Sequence, residues 1–194
     1  ILGPHHAWLK NLYEAAWKMI FGLLRHPPIE SGLPGPYVST GSGFKNFQFV
    51  WDTCFTALAT AYGHRVFPAL SSLDLLYSRQ FDGGYIHREH DIRDGMPVLY
   101  EPDFSPNPPL MSTAEWAAYN LTGDRKRLRQ VYPALEAYHR WLQLHRRRED
   151  GTYWTTGLAS GLDNSPATGL GYPCLTAQMA QDAETLSQIA SELG

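Results

Sequence analysis

Asp163 lies in the segment Gly161-Leu162-Asp163-Asn164-Ser165-Pro166, with Gly157, Gly169 and Gly171 around it and Tyr153 and Trp154 at its entrance. A carboxyl held among aromatic rings and tight turns is kept from full hydration. That raises its pKa toward what a general acid needs at neutral pH. A plain capped turn accounts for the same residue types, since Asn, Asp, Ser, Gly and Pro are the commonest turn formers. What speaks for chemistry is repetition, because the chain builds a loop of this kind three times.

Two further pairs could act with Asp163. Asp52 follows Trp51 where a helix is expected to begin, and its residue type there suits a helix-start carboxylate tied to backbone amides or a ligand contact. Trp51 suits a pocket wall or the core. Arg88-Glu89 lies in a glycine- and proline-rich stretch and reads either as an ion pair bracing its loop or as a ligand contact. Tyr153 and Trp154 form either a hydrophobic wall that raises the Asp163 pKa or simple loop packing. Glu101 follows Tyr100 in a proline-rich loop and reads as surface.

The elements that must position these residues are helices. Apolar residues at helical spacing predict a first helix from about His6 to Arg25, ended by Pro27-Pro28. A loop from Ile29 to Phe44 follows. Next come a helix from about Trp51 to Tyr62, a turn at Gly63-His64, and a third helix from Val66 to about Arg79. A second long loop, Gln80 to Leu110, carries Gly83-Gly84 and five prolines. A helix from Ser112 to Leu121 then starts with a capping-box pattern, Ser112 and Glu115. Thr122-Gly123-Asp124 turns the chain into the longest helix, Arg125 to about Arg148, and its end, Arg146-Arg147-Arg148, reads as solvated and dipole-compensating. The Asp163 loop follows, and the last helix spans about Leu175 to Leu193. Short and long connections alternate, so all the long loops fall at one end of the helices. That placement gathers Asp52, Arg88, Glu89, Glu101 and Asp163 on one face. Long loops of this sort are uncommon unless functional. The layout is helical-hairpin repetition, that of an all-α, α/α toroid.

Bulk properties narrow the function. At 194 residues the chain supports one sizeable core and is read as a single domain, 1–194. A net charge of −3 gives no electrostatic footprint for nucleic acid. No apolar stretch approaches a bilayer span, so no membrane is expected. No signal peptide is expected, although the chain starts at Ile1 and an upstream segment is left open. Cys54 and Cys174, each placed at a helix start, suit free thiols in a reducing, cytoplasmic compartment. The eight histidines show no HExxH spacing, and neither a metal nor a cofactor is expected. Six Trp and eleven Tyr suit sugar stacking and core filling alike.

Four segments, in order, resemble the catalytic domain of family-63 glycoside hydrolases and their relatives, including mannosylglycerate hydrolases and processing α-glucosidases. They are Phe49-Val50-Trp51-Asp52-Thr53-Cys54-Phe55, Gly83-Gly84-Tyr85-Ile86-His87-Arg88-Glu89, Asn107-Pro108-Pro109-Leu110 and Ser160-Gly161-Leu162-Asp163-Asn164-Ser165-Pro166. The resemblance runs from roughly Leu12 to Leu193. It implies part of an (α/α)6 barrel, about half of one, and an inverting hydrolase acting on a small α-glucoside or α-mannoside. Asp163 matches the family's general acid. Trp51 and Asp52 match the lining of the sugar pocket, Arg88 and Glu89 match a motif near it, and Asn164, Tyr153 and Trp154 are expected around the substrate. His87 stands where proline or alanine is commoner. Inversion needs a second carboxylate ~6.5–9.5 Å away as base, and the family supplies it from later hairpins. Glu184 and Glu192 of the last helix match no motif and read as solvent-facing. The expectation is therefore the N-terminal half of a catalytic domain, completed by the same polypeptide or another chain. A non-catalytic carbohydrate-binding domain and a helical protein-binding scaffold are the alternatives.

Overall fold

The computed structural model describes residues 6–98, 106–156 and 171–194. Its order is α1 (Ala7–Leu23), β1 (Leu24–Arg25), β2 (Tyr37–Val38), β3 (Phe47–Phe49), α2 (Val50–Thr60), α3 (Ser71–Tyr77), β4 (Glu89–Asp91), α4 (Met111–Thr122), α5 (Arg125–Arg146) and α6 (Pro173–Leu193). The chain is predominantly helical. There are two short antiparallel ribbons, β1–β2 and β3–β4: β2 and β4 fall in segments read as loop, β3 lies just before the expected second helix, and β1 takes the last two residues of the expected first helix.

Local chemistry sets the helix ends. Gly123 takes the left-handed conformation, φ 69°, that closes α4. Asp124 then caps α5 by accepting from the Arg127 backbone N–H at 3.0 Å. Pro173 occupies the first turn of α6, where its missing N–H costs nothing. α4 packs against α2, α5 and α6, while α5 also meets α6 and α2 meets α3. The shared core holds Val50 and Cys54 of α2, Leu73 and Leu76 of α3, Met111 of α4, Leu128 and Leu142 of α5, and Ile189 of α6. Each fully buried leucine or isoleucine contributes roughly 1.5–3 kcal/mol.

Polar groups are buried among these helices in matched sets. Glu115 of α4 accepts from Arg127 Nε (2.8 Å) and Nη2 (2.7 Å) and from the Tyr77 hydroxyl (3.0 Å). Arg127 also reaches Asp74 at 3.0 Å. Asp182 of α6 accepts from the Ser112 hydroxyl and lies 2.7 Å from His139 Nδ1.

Several expectations are corrected. The predicted third helix, Val66–Arg79, is helical only over Ser71–Tyr77, because Pro68 disfavours helical geometry at Phe67 before it. The capping box at Ser112 and Glu115 does not form. α4 starts one residue earlier with no side-chain cap, and both side chains serve the buried networks instead. Cys54 is not at a helix start but inside α2, where its thiol donates to the Val50 carbonyl at 3.2 Å. Burial raises its pKa well above the ordinary thiol value. Arg146 is not solvated: it is buried and covered by two indole rings. Glu184 is exposed as expected, whereas Glu192 is only partly so and pairs with Arg125 at 3.7 Å.

α1 stands apart from the main core. None of its residues is buried, and Trp8 (61%) and Tyr13 (64%) are largely exposed. Its C-terminal half is held by a small second cluster, in which Trp17, Ile20 and Leu23 pack around Val38, Phe67 and Ala69.

Candidate functional site

The β3–β4 ribbon brings the first two long loops together. Phe49 pairs with Glu89 and Gln48 with His90, and the Val50 N–H donates to the Arg88 carbonyl at 3.0 Å. The ribbon therefore sets Trp51 and Asp52, in the first turn of α2, beside Arg88 and Glu89. Gln48 is buried and its amide donates to Thr53 Oγ1 at 2.5 Å, which ties the strand to the helix it feeds. Asn107 adds a third strut. Its Oδ1 accepts from the Trp51 N–H at 3.3 Å, and its carbonyl accepts from the Tyr138 hydroxyl at 2.6 Å. Trp51 is half-buried with its ring 5.4 Å from Phe55, and Asp52 is half-buried.

Arg88 and Glu89 are both buried, with Nη2 and Oε2 3.5 Å apart. Burial raises the Glu89 carboxyl above its ordinary value, Arg88 opposes this, and Asp91 adds to it. The pair thus offers a charge-assisted donor and an acceptor in a dry setting, the combination that grips hydroxyl groups. His87 braces the segment. Its Nε2 donates to the Val98 carbonyl at 2.8 Å, an assignment fixed because a carbonyl only accepts. Nδ1 must then accept from the Tyr85 hydroxyl at 2.7 Å. Gly84, at φ +91°, lets this loop lie on α5: a Cβ there would sit 2.4 Å from the Ala137 carbonyl oxygen.

The third loop joins the same end through α5. Tyr85 packs at a tilt against Trp141, ring centroids 4.4 Å apart, and the Arg146 guanidinium lies 5.1 Å from Trp141 and 4.0 Å from Trp154. The Trp154 N–H donates to the Arg146 carbonyl at 2.9 Å. Tyr153 is buried, its N–H donating to Thr176 Oγ1 of α6 at 3.0 Å. So Trp51, Asp52, Arg88, Glu89, Tyr153 and Trp154 gather at one end of the helices. Asp163, Asn164 and Glu101 lie outside the described residues. Among the described residues no group of His, Cys, Asp and Glu is arranged to hold a metal, and no helix is long and apolar enough to cross a membrane.

Sequence reasoning gave no site role to Asn107, Tyr85 or Trp141, and it read Arg146 as a solvated helix end. Asn107 had a signal, the Pro-Pro pair after it. Arg146 had none, because its cation–π partners sit in two different elements.

His90 alternates with Glu89 along β4 and so points to the other face of the ribbon. It is fully buried (0%), and neither ring nitrogen has a hydrogen-bond partner. Burial, helped by the nearby charges of His87 and Arg79, lowers its pKa to about 3. An unfolded histidine takes up a proton near pH 6.5, so the unfolded state binds more protons below that pH. The His90 contribution to stability is therefore complete above about pH 6.5 and is lost as pH falls toward 3. Relative to His90→Gln, the wild type should lose on the order of 3 kcal/mol between pH 7 and pH 4. Parallel pH profiles in urea titrations of the two proteins would rule out a neutral buried His90.

The model of the mannosylglycerate hydrolase MGH1-like glycoside hydrolase domain matches residues 45–194. An uncharacterized protein of Borreliella burgdorferi is 26% identical over 143 residues, which cover 73% of this chain and 30% of that protein. An uncharacterized conserved protein from Thermus thermophilus superposes with a TM-score of 0.67 at 20% identity, over 81% of this chain and 53% of that one, a likeness of fold. The GH63 mannosylglycerate hydrolase of the same organism, solved with glucose and with Tris and D-glycerate, superposes with a TM-score of 0.54 at 26% identity. That match covers 67% of this chain and 35% of the hydrolase. The chain thus spans about half or less of the length of these relatives. Its matched portion, most of the 194 residues, makes it a member of the mannosylglycerate hydrolase MGH1-like glycoside hydrolase domain family.

Proposed function

We propose that this chain forms part of an inverting glycoside hydrolase acting on a small α-mannoside or α-glucoside. The observation that carries the reading is the β3–β4 ribbon, which sets Trp51-Asp52 against the buried Arg88-Glu89 pair in a chain of this family. In this reading Asp52, Arg88 and Glu89 bind the hydroxyls of the sugar to be released, and Trp51, Tyr153 and Trp154 supply apolar walls. Asp163, with Asn164 beside it, donates the proton to the glycosidic oxygen. A carboxylate outside these 194 residues activates water on the opposite face. The hairpins make up about half of an α/α toroid, and the uncovered apolar side of α1 receives further helices of the ring. The family match to mannosylglycerate hydrolases, one of them solved separately with glucose and with Tris and D-glycerate, supports an α-linked hexose on a small polar aglycone.

The test is the configuration of the first product. Full-length protein given an α-mannoside or α-glucoside should release the β-anomer first, visible by proton NMR before mutarotation, and the 194-residue chain alone should show no turnover. Release of the α-anomer would rule out inversion. Saturable sugar binding by the full-length protein without turnover would support a carbohydrate-binding domain instead.

A further inference from the structure

A cavity of about 260 Å³ opens between the end of α3 and the turn that follows β4, on the face of the ribbon opposite Glu89. It is lined by Arg79, Gln80, Phe81, His90, Met96 and Pro97, together with Ser78 and Gly95. Its chemistry is out of balance. Arg79 carries a positive charge, yet among the described residues its guanidinium donates only from Nη2 to the Ser31 carbonyl, its Nε is buried without a partner, and it has no ion pair. The carboxylates of the adjoining turn are already committed. Asp91 accepts from Arg93 Nε at 2.9 Å, and Asp94 accepts from the Met96 N–H at 2.9 Å. Beside Arg79 stands His90, wholly buried, with both ring nitrogens unbonded.

Buried polar groups are nearly always hydrogen-bonded. Arg79 is half-buried with its Nε enclosed and unpartnered, His90 is wholly buried, and the two line one small cavity, where they complement a ligand that brings negative charge and acceptor oxygens. The geometry points to a second binding site, for a small oxyanion such as a carboxylate or phosphate, with Arg79 as its charge partner and the His90 ring N–H as a donor. Phe81, Met96 and Pro97 form an apolar rim around the site, with Phe81 and Met96 themselves exposed. Gly95 contributes by having no side chain. A Cβ there would lie 2.3 Å from Arg79 Nη2, so a larger residue would displace the guanidinium. His90 pairs with Gln48 in the ribbon, so an anion held here braces the strands that carry the Trp51-Asp52 and Arg88-Glu89 pairs. The inference does not depend on which reaction those pairs serve.

The experiment titrates the full chain with sodium phosphate, sodium acetate or sodium chloride at constant ionic strength, reading heat by calorimetry and the His90 ring signals by NMR. Phosphate or acetate should bind saturably with one-to-one stoichiometry and shift the His90 ring resonances, while chloride should do neither. Binding of both oxyanions would leave the ligand as any small oxyanion, and binding of one alone would name the class. Arg79→Gln should weaken binding about tenfold or more, the cost of losing a charge-assisted hydrogen bond. Because Arg79 also holds the Ser31 carbonyl, His90→Phe provides a second variant that leaves that contact in place and should lose binding while keeping its circular dichroism. Absence of saturable binding in the wild type, or unchanged affinity in a folded His90→Phe protein, would overturn the proposal.

Discussion

Asp163→Asn in the full-length protein should lower turnover by about 10²–10⁴-fold, the range typical of a positioned general acid. The substitution keeps the side-chain shape and removes the transferable proton. Substrate affinity should change little, because the amide still offers hydrogen bonds. The diagnostic lies in the leaving group. Substrates whose leaving groups depart unprotonated need no acid and should be hurt far less, which separates a lost proton donor from a disturbed loop. Equal losses for good and poor leaving groups in a folded protein would take Asp163 out of the acid role. The buried Glu89, whose carboxyl is raised by desolvation, would then be the first alternative donor to replace, as Glu89→Gln.

How far this site could be read from the sequence depends on the scale of the device involved. The alternation of long and short connections requires the long loops to share one end. Among the described residues, Asn107 accepting from the Trp51 N–H joins the first two loops, and Tyr85 against Trp141, which Arg146 links to Trp154, brings in the start of the third. What the sequence could not disclose is the joint itself. Phe47-Gln48-Phe49 is three residues long, and its middle residue is a buried glutamine whose amide serves Thr53. A strand so short carries no usable alternation, and a polar residue at its centre argues against burial. The same masking affects His90, which looks like one more exposed histidine in a charged stretch and is wholly enclosed. The Ser112–Glu115 spacing misled for a related reason. A local capping pattern competes with whatever partners the fold supplies, and here Asp182 and Arg127 claim both side chains. Pro68, by contrast, was readable: the residue before a proline resists helical geometry, which speaks against a helix running through Phe67.

Arg127→Met should be the most destabilising single change outside the site, costing about 3–5 kcal/mol, as expected when a buried ion pair loses one partner. Arg127 joins three elements from the first turn of α5: it pairs with Glu115 of α4 and Asp74 of α3, and Glu115 also accepts from Tyr77. Glu115 is only 1% exposed, so methionine would leave its carboxylate with the Tyr77 hydroxyl alone. Burial already raises the Glu115 carboxyl above its ordinary value of 4.5, and Arg127 is the main influence holding it down. Without Arg127 the carboxyl rises further and is protonated in the folded state at pH values where the unfolded chain has released its proton. The folded state then binds more protons, so the variant should lose stability as pH rises above about 4.5, through the folded pKa. Its deficit against wild type should accordingly be smallest in acid and largest at neutral pH. Glu115→Gln placed on Arg127→Met removes the stranded charge and should recover part of the loss, by at least about 1 kcal/mol, as double-mutant cycles read coupled pairs. The measurement is urea unfolding of the wild type, both single variants and the double variant at pH 5 and pH 8. A loss under about 1 kcal/mol at pH 8, or a double variant no more stable than Arg127→Met, would show that this end of the hairpins is held by packing alone.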